Sequence, residues 1–133
     1  QTQALPPARV LLVEDEVQVG DFMTELLAGW GLAVHLERDP LRAAAWLEDA
    51  ANAADCLITD QTMPQMTGLA LARHAQGLRP HLPVLLYSGN AAAVDADAAR
   101  AHGVVAVLAK PVDPPALRAA LQRCLAATIG KVA

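Results

Sequence analysis

The sequence predicts an α/β fold, (βα)5, in which a doubly wound sheet of five parallel strands carries helices on both faces. Three observations predict it. Five short apolar runs recur at similar spacing, and each is apolar at nearly every position rather than at alternate ones. Such runs suit strands covered on both faces, which is the parallel arrangement. Between them lie segments whose apolar residues repeat at three and four.

The first strand is 9–13 (RVLLV). A helix over 17–30 follows, with Val19, Phe22, Met23, Leu26, Leu27 and Trp30 on its apolar stripe, and Gly31 supplies the left-handed residue that ends it. The second strand is 32–36 (LAVHL). Asp39-Pro40 opens the second helix, with a capping carboxylate before a proline at the first helical position, where a missing N–H does no harm. The third strand, 55–59 (DCLIT), breaks into the loop around Met63-Pro64, and Thr67-Gly68 starts the third helix. The fourth strand is 83–87 (PVLLY). Asn90 is the expected cap of an alanine-rich helix over 91–102, which Gly103 terminates. The fifth strand is 104–108 (VVAVL), and Asp113-Pro114 opens a last helix with Leu117, Ala120, Leu121, Cys124 and Leu125 on one face.

Composition narrows the function. A chain of 133 residues buries one proper core and not two. With 54% hydrophobic and 18% charged residues it is not disordered, and scarce aromatics leave the core to Ala, Leu and Val. A net charge of −4 with scattered Lys and Arg offers no basic footprint, so nucleic-acid binding by this chain alone is disfavoured. Cys56 and Cys124 read as small buried hydrophobes rather than a disulfide framework. No apolar run of about 18 residues could cross a bilayer, and no membrane contact is expected. A reducing, cytoplasmic setting is the expectation. Residues 1–8 (QTQALPPA) read as a linker or segment edge, 9–127 as the domain, and 128–133 (TIGKVA) as a short tail.

In an open α/β sheet the ligand site lies beyond the carboxyl ends of the strands. There the first strand delivers Glu14-Asp15-Glu16, the third Asp60, the fourth Ser88 and the fifth Lys110-Pro111, whereas the second brings only Glu37 and Arg38. Taken alone, each has a plain reading: Asp60 as a turn cap, the acids as a solvated helix start beside the dipole, Ser88-Gly89 as a turn, Lys110-Pro111 as a helix approach. Together they suit one chemistry. Converging Glu14, Asp15 and Asp60 repel one another unless a hard divalent cation joins them, and Mg²⁺ is typically held by one or two carboxylates plus phosphate oxygens. Lys110 can neutralise an added anion and Ser88 can donate to it. These are the parts of phosphoryl transfer to a carboxylate nucleophile.

LLVEDE, LITDQTMPQMTG, LLYSG and LAKP, in that order on consecutive strand ends, resemble the receiver domain of two-component response regulators, a flavodoxin-like fold, from Val10 to about Leu125. The wording VEDE and ITDQTMPQMTGLALA is also similar to receivers at the C-terminal end of hybrid sensor histidine kinases. The resemblance implies that Asp60 accepts a phosphoryl group from a histidine kinase or a histidine phosphotransfer domain. It implies a metal site for Mg²⁺, or another divalent cation such as Mn²⁺, with Asp15 as a direct ligand, Glu14 acting through water, Asp60, and the main-chain carbonyl of Thr62. Ser88 and Lys110 would bind the phosphoryl oxygens, and Lys110-Pro111 would be a cis bond. The domain would assist its own phosphotransfer and dephosphorylation without being an enzyme of turnover. Single-domain regulator and hybrid-kinase module both stay open, as does the oligomeric state.

Two departures stand out. Glu14 occupies a position where many relatives have Asp, and Val107 one where the family often has Tyr or Phe. Without that ring the expectation is a receiver that relays or stores phosphoryl groups more than it reshapes a face. Two competing functions are weighed. A haloacid-dehalogenase-like phosphatase also forms an aspartyl phosphate, but needs a second aspartate two residues on as general acid, where this chain has Thr62. A pseudo-receiver that binds partners without phosphate is opposed by Asp60, Ser88 and Lys110. The histidines His35, His74, His81 and His102 show no ligand spacing, and Trp30 and Trp46 read as core.

Overall fold

The computed structural model describes residues 5–132, with side chains to residue 126. The elements run β1 (Arg9–Val13), α1 (Val17–Gly29), β2 (Ala33–Glu37), α2 (Pro40–Glu48), β3 (Cys56–Asp60), α3 (Gly68–Leu78), β4 (Val84–Ser88), a 3-10 turn (Ala91–Ala93), α4 (Ala96–Ala101), β5 (Val104–Ala109) and α5 (Pro114–Val132). The strands form one sheet in the order β2-β1-β3-β4-β5, and every pairing is parallel. β3 and β4 are buried at every position, as their unbroken apolar runs require.

The order places the reversal of winding between β1 and β3, because the chain steps out to β2 before returning past β1. That switch point is where a crevice opens at the strand ends. Side chains alternate across the sheet. Val10, Leu12, Cys56, Ile58, Leu85 and Tyr87 pack with Met23, Leu27, Leu117, Leu121 and Cys124, the α1–α5 layer. Leu11, Val13, Leu57, Val84 and Leu86 pack with Leu47, Leu71, Ala75 and Ala99 on the other face.

Local chemistry explains most boundaries. Asp39 Oδ1 accepts from the Leu41 amide at 2.9 Å and Thr67 Oγ1 from the Ala70 amide at 3.1 Å, capping α2 and α3. Gly31 and Gly103 lie at φ +89° and +80°, the left-handed exits expected after α1 and α4. β4 begins at Val84 rather than at 83 because Pro83 has no N–H for the ladder. β3 continues one residue beyond the expected end, since Asp60 still pairs with Tyr87.

Three expectations need correction. The segment 91–102 is not one helix: the 3-10 turn ends at Ala93 and α4 starts at Ala96. Asn90 makes no side-chain cap. Asp95 does, taking the Asp97 and Ala98 amides at 2.9 and 3.2 Å, and an acid able to cap in mid-segment restarts the helix there. Phe22, expected on the apolar stripe of α1, is 53% exposed. Leu5, within the expected linker, is buried against the α1–α5 layer, while residues 1–4 lie outside the described ones. α5 continues to Val132 and so runs through most of 128–133. No helix among the described residues is long and apolar enough to cross a membrane.

Candidate functional site

The site grows from the carboxyl ends of β1, β3, β4 and β5. Register aligns Val13 with Thr59 and Asp60 with Tyr87, so the acid following β1 comes level with the acid ending β3. Oxygens of Glu14, Asp15 and Asp60 lie within 4.8 Å of one another. Glu14 is fully buried and Asp60 is 2% exposed. Carboxylates this close in a poorly solvated pocket repel strongly unless cations or donors face them.

Lys110 answers part of that charge. Its Nζ donates to Asp60 Oδ2 at 2.9 Å and lies 3.8 Å from Glu14 Oε1 and 3.6 Å from Glu16 Oε1. Burial works against its charged form, but the bond to Asp60 and the surrounding carboxylates outweigh it and raise its pKa. The Lys110–Pro111 bond is cis. The other Asp60 oxygen, Oδ1, accepts from the Thr62 amide at 3.2 Å.

Glu14 is the acid most changed by its surroundings. Burial raises its pKa, against opposing hydrogen bonds from the Tyr87 hydroxyl at 2.7 Å and the Glu16 amide at 2.9 Å. Asp15 differs: its Oδ1 is buried and meets no donor. An orphaned acceptor beside two further carboxylates is the pattern a divalent cation completes. The set is all oxygen, with no sulfur or imidazole, which suits Mg²⁺ or Mn²⁺ over softer metals. Residues and cation therefore fit.

Ser88 stands apart from this cluster in its hydrogen bonding. It lies one residue beyond the Asp60–Tyr87 pair, and its Oγ accepts from the Asn90 amide at 3.0 Å, while its carbonyl accepts from the Lys110 amide at 3.0 Å. The histidines lie outside the acidic group; His35, for instance, stacks on Trp46 at 4.9 Å. Two contributors are absent from the sequence-based set. Tyr87 sits inside an apolar run, and Glu16 belongs to an acidic stretch that gives it no role of its own; its amide donates to Glu14 and its carboxylate faces Lys110. The parity of Tyr87 with Leu85 was the available signal.

The response regulator receiver domain family model matches residues 10–122. The receiver domain of the hybrid histidine kinase CckA is 32% identical, with TM-score 0.73, covering 88% of this chain and 98% of that one. A CheY-like response regulator receiver domain protein from Methanospirillum hungatei shares the fold at TM-score 0.83 and 22% identity, covering 95% and 99%. The transcriptional regulatory protein ZraR of Escherichia coli is 29% identical over 119 residues, which are 90% of this chain and 26% of that protein. The chain thus spans about a quarter of the length of such curated relatives.

Proposed function

Because the chain belongs to the response regulator receiver family, we propose that it takes a phosphoryl group from a phosphohistidine onto Asp60, in a cytoplasmic two-component phosphorelay. One observation carries the reading. A nearly buried carboxylate ends a central strand, with one oxygen held by an ammonium at 2.9 Å and two further carboxylates within 4.8 Å. A turn cap needs neither.

In the proposed step an Asp60 oxygen attacks phosphorus. The new O–P bond forms as the P–N bond breaks, and the histidine ring, protonated on its other nitrogen, departs as neutral imidazole. Lys110 moves its hydrogen bond from Asp60 Oδ2 to a phosphoryl oxygen. The Ser88 hydroxyl, already an acceptor for the Asn90 amide, has its proton left to donate to another. Asp15, Asp60, Glu14 and the Thr62 carbonyl are the groups that would hold Mg²⁺ or Mn²⁺. When bound, the cation offsets the charge of the carboxylates and of the incoming phosphoryl oxygens.

The donor would be a histidine kinase or a histidine phosphotransfer domain. Val17 and Phe22 support this: both are large apolar side chains more than half exposed on α1, and Phe22 shares a groove with Lys110, Pro111 and Val112 beside the site. The hybrid histidine kinase origin of one relative applies to that protein, and a hybrid-kinase parent for this chain is one form of the proposal. Val107 is half-buried against the α2–α4 layer and carries no ring to swing. The domain therefore relays or stores phosphoryl groups more than it reshapes a face, and a structure with a phosphate mimic should leave α4 and β5 in place. A displacement of several ångströms there would count against relay.

The test uses acetyl phosphate with Mg²⁺. One base-labile, acid-stable phosphoryl mass gain is expected, and none in Asp60→Asn. Steady turnover of phosphate monoesters would instead favour the phosphatase, and an unmodified chain the interaction module.

A further inference from the structure

Tyr87 is the single tyrosine of the chain and is fully buried at the end of β4. A tyrosine buried in a sheet layer needs an acceptor for its hydroxyl, and any main-chain carbonyl would do. Here the acceptor is a carboxylate of the acidic pocket, Glu14 Oε1 at 2.7 Å, while the ring lies 5.2 Å below the Lys110 ammonium. One side chain thus touches both the acid and the cation that flank Asp60.

The contact acts on a particular weakness of this site. Glu has one more rotatable bond than Asp, and three carboxylates within 4.8 Å push one another apart. Left alone, the longer arm of Glu14 would swing away from Asp60, and bringing it back would cost ordering entropy each time a cation binds. The Tyr87 hydroxyl holds one oxygen and the Glu16 amide, at 2.9 Å, holds the other. Asp15 Oδ1 is left without a donor. The pocket therefore separates into an acid held by the protein and an acid with an open oxygen.

We propose that Tyr87 is a positioning residue of the cation site: its hydroxyl fixes the Glu14 carboxylate beside Asp15 and Asp60, so that the acidic pocket is assembled before the cation arrives. This rests on the reading of the acidic cluster as a Mg²⁺ site. Pre-ordering of this kind strengthens binding by removing the ordering cost, without adding a ligand.

The substitution Tyr87→Phe removes the hydroxyl and keeps both the ring packing and the ring beneath Lys110. Mg²⁺ binding is measured by calorimetry on the full chain, the Phe variant, Glu14→Gln and the double variant, with cation-free melting confirming that each is folded. The Phe variant is expected to bind Mg²⁺ roughly five- to tenfold more weakly, the net scale of one ordinary hydrogen bond. In the Glu14→Gln background the same change should alter affinity less than about twofold, because the group it positions is no longer a carboxylate. An unchanged affinity in the Phe variant overturns the proposal. So does an equal loss in both backgrounds, which would mean that the Tyr87 hydroxyl acts by some route other than the Glu14 carboxylate. If the unsubstituted chain takes up no Mg²⁺, the cation reading itself fails, and the role of Tyr87 fails with it.

Discussion

Alanine at Gly68 should cost the fold about 3 kcal/mol, the upper end of the range for overpacking a core, and should slow labelling of Asp60 as well. Gly68 begins α3 and is buried. A Cβ there would sit 2.3 Å from the Asp60 carbonyl oxygen and 2.5 Å from Leu86 Cδ1. The leucine can rotate, but the carbonyl moves only with the Asp60 backbone. The loop leaves little slack, because Gln61 binds the Tyr87 carbonyl through its amide at 2.9 Å and the Gly68 amide through its carbonyl at 3.0 Å. Its side-chain oxygen also takes the Leu69 amide at 2.8 Å. Gly77, in the same helix, has nothing within 4 Å of a built Cβ. Gly77→Ala should therefore leave stability unchanged or raise it by up to about 1 kcal/mol. Urea midpoints of the two variants measure the contrast, and a small loss at Gly68 would mean that the strand end is less rigid than described.

Lys110→Ala should have the larger effect on chemistry. It removes the ammonium 2.9 Å from Asp60 and within 4 Å of Glu14 and Glu16, leaving buried acids facing one another. Without a divalent cation the variant should lose about 3 kcal/mol, the scale of a broken buried pair, and added Mg²⁺ should restore part of that. Phosphoryl transfer from acetyl phosphate should slow by about 100-fold, as when one donor to a developing anion is deleted. Lys110→Arg keeps the charge in a planar fork and should recover stability better than rate. Melting with and without Mg²⁺, paired with labelling kinetics, separates the two effects.

Much of this architecture was legible because it rests on local chemistry. Unbroken apolar runs marked strands covered on both faces, Asp39 and Thr67 capped helices by their own side chains, and Gly31 and Gly103 took the left-handed conformation that closes a helix. The placement of acids at strand ends followed from the strand count alone. Less legible was whatever depends on which residues stand opposite one another. Tyr87 reads as a core ring until the register sets it level with Asp60 and, through β3, with Glu14. The division of 91–102 is not legible because a run of alanines favours helix throughout, and Asp95 restarts the helix only because Val94, at φ −75° and ψ 127°, has left helical geometry. Leu5 lies in a proline-containing stretch whose composition says linker, yet the α1–α5 layer buries it.

The central claim is that Asp60, and no other acid of the pocket, receives the phosphoryl group. Borohydride reduces an acyl phosphate to the alcohol, so trapping after exposure to acetyl phosphate and Mg²⁺ converts the acceptor side chain to its alcohol, which for an aspartate is homoserine. Peptide mapping should find that mark at Asp60 alone. A mark at Glu14 or Asp15, or a phosphorylated chain with Asp60 unaltered, would contradict the account.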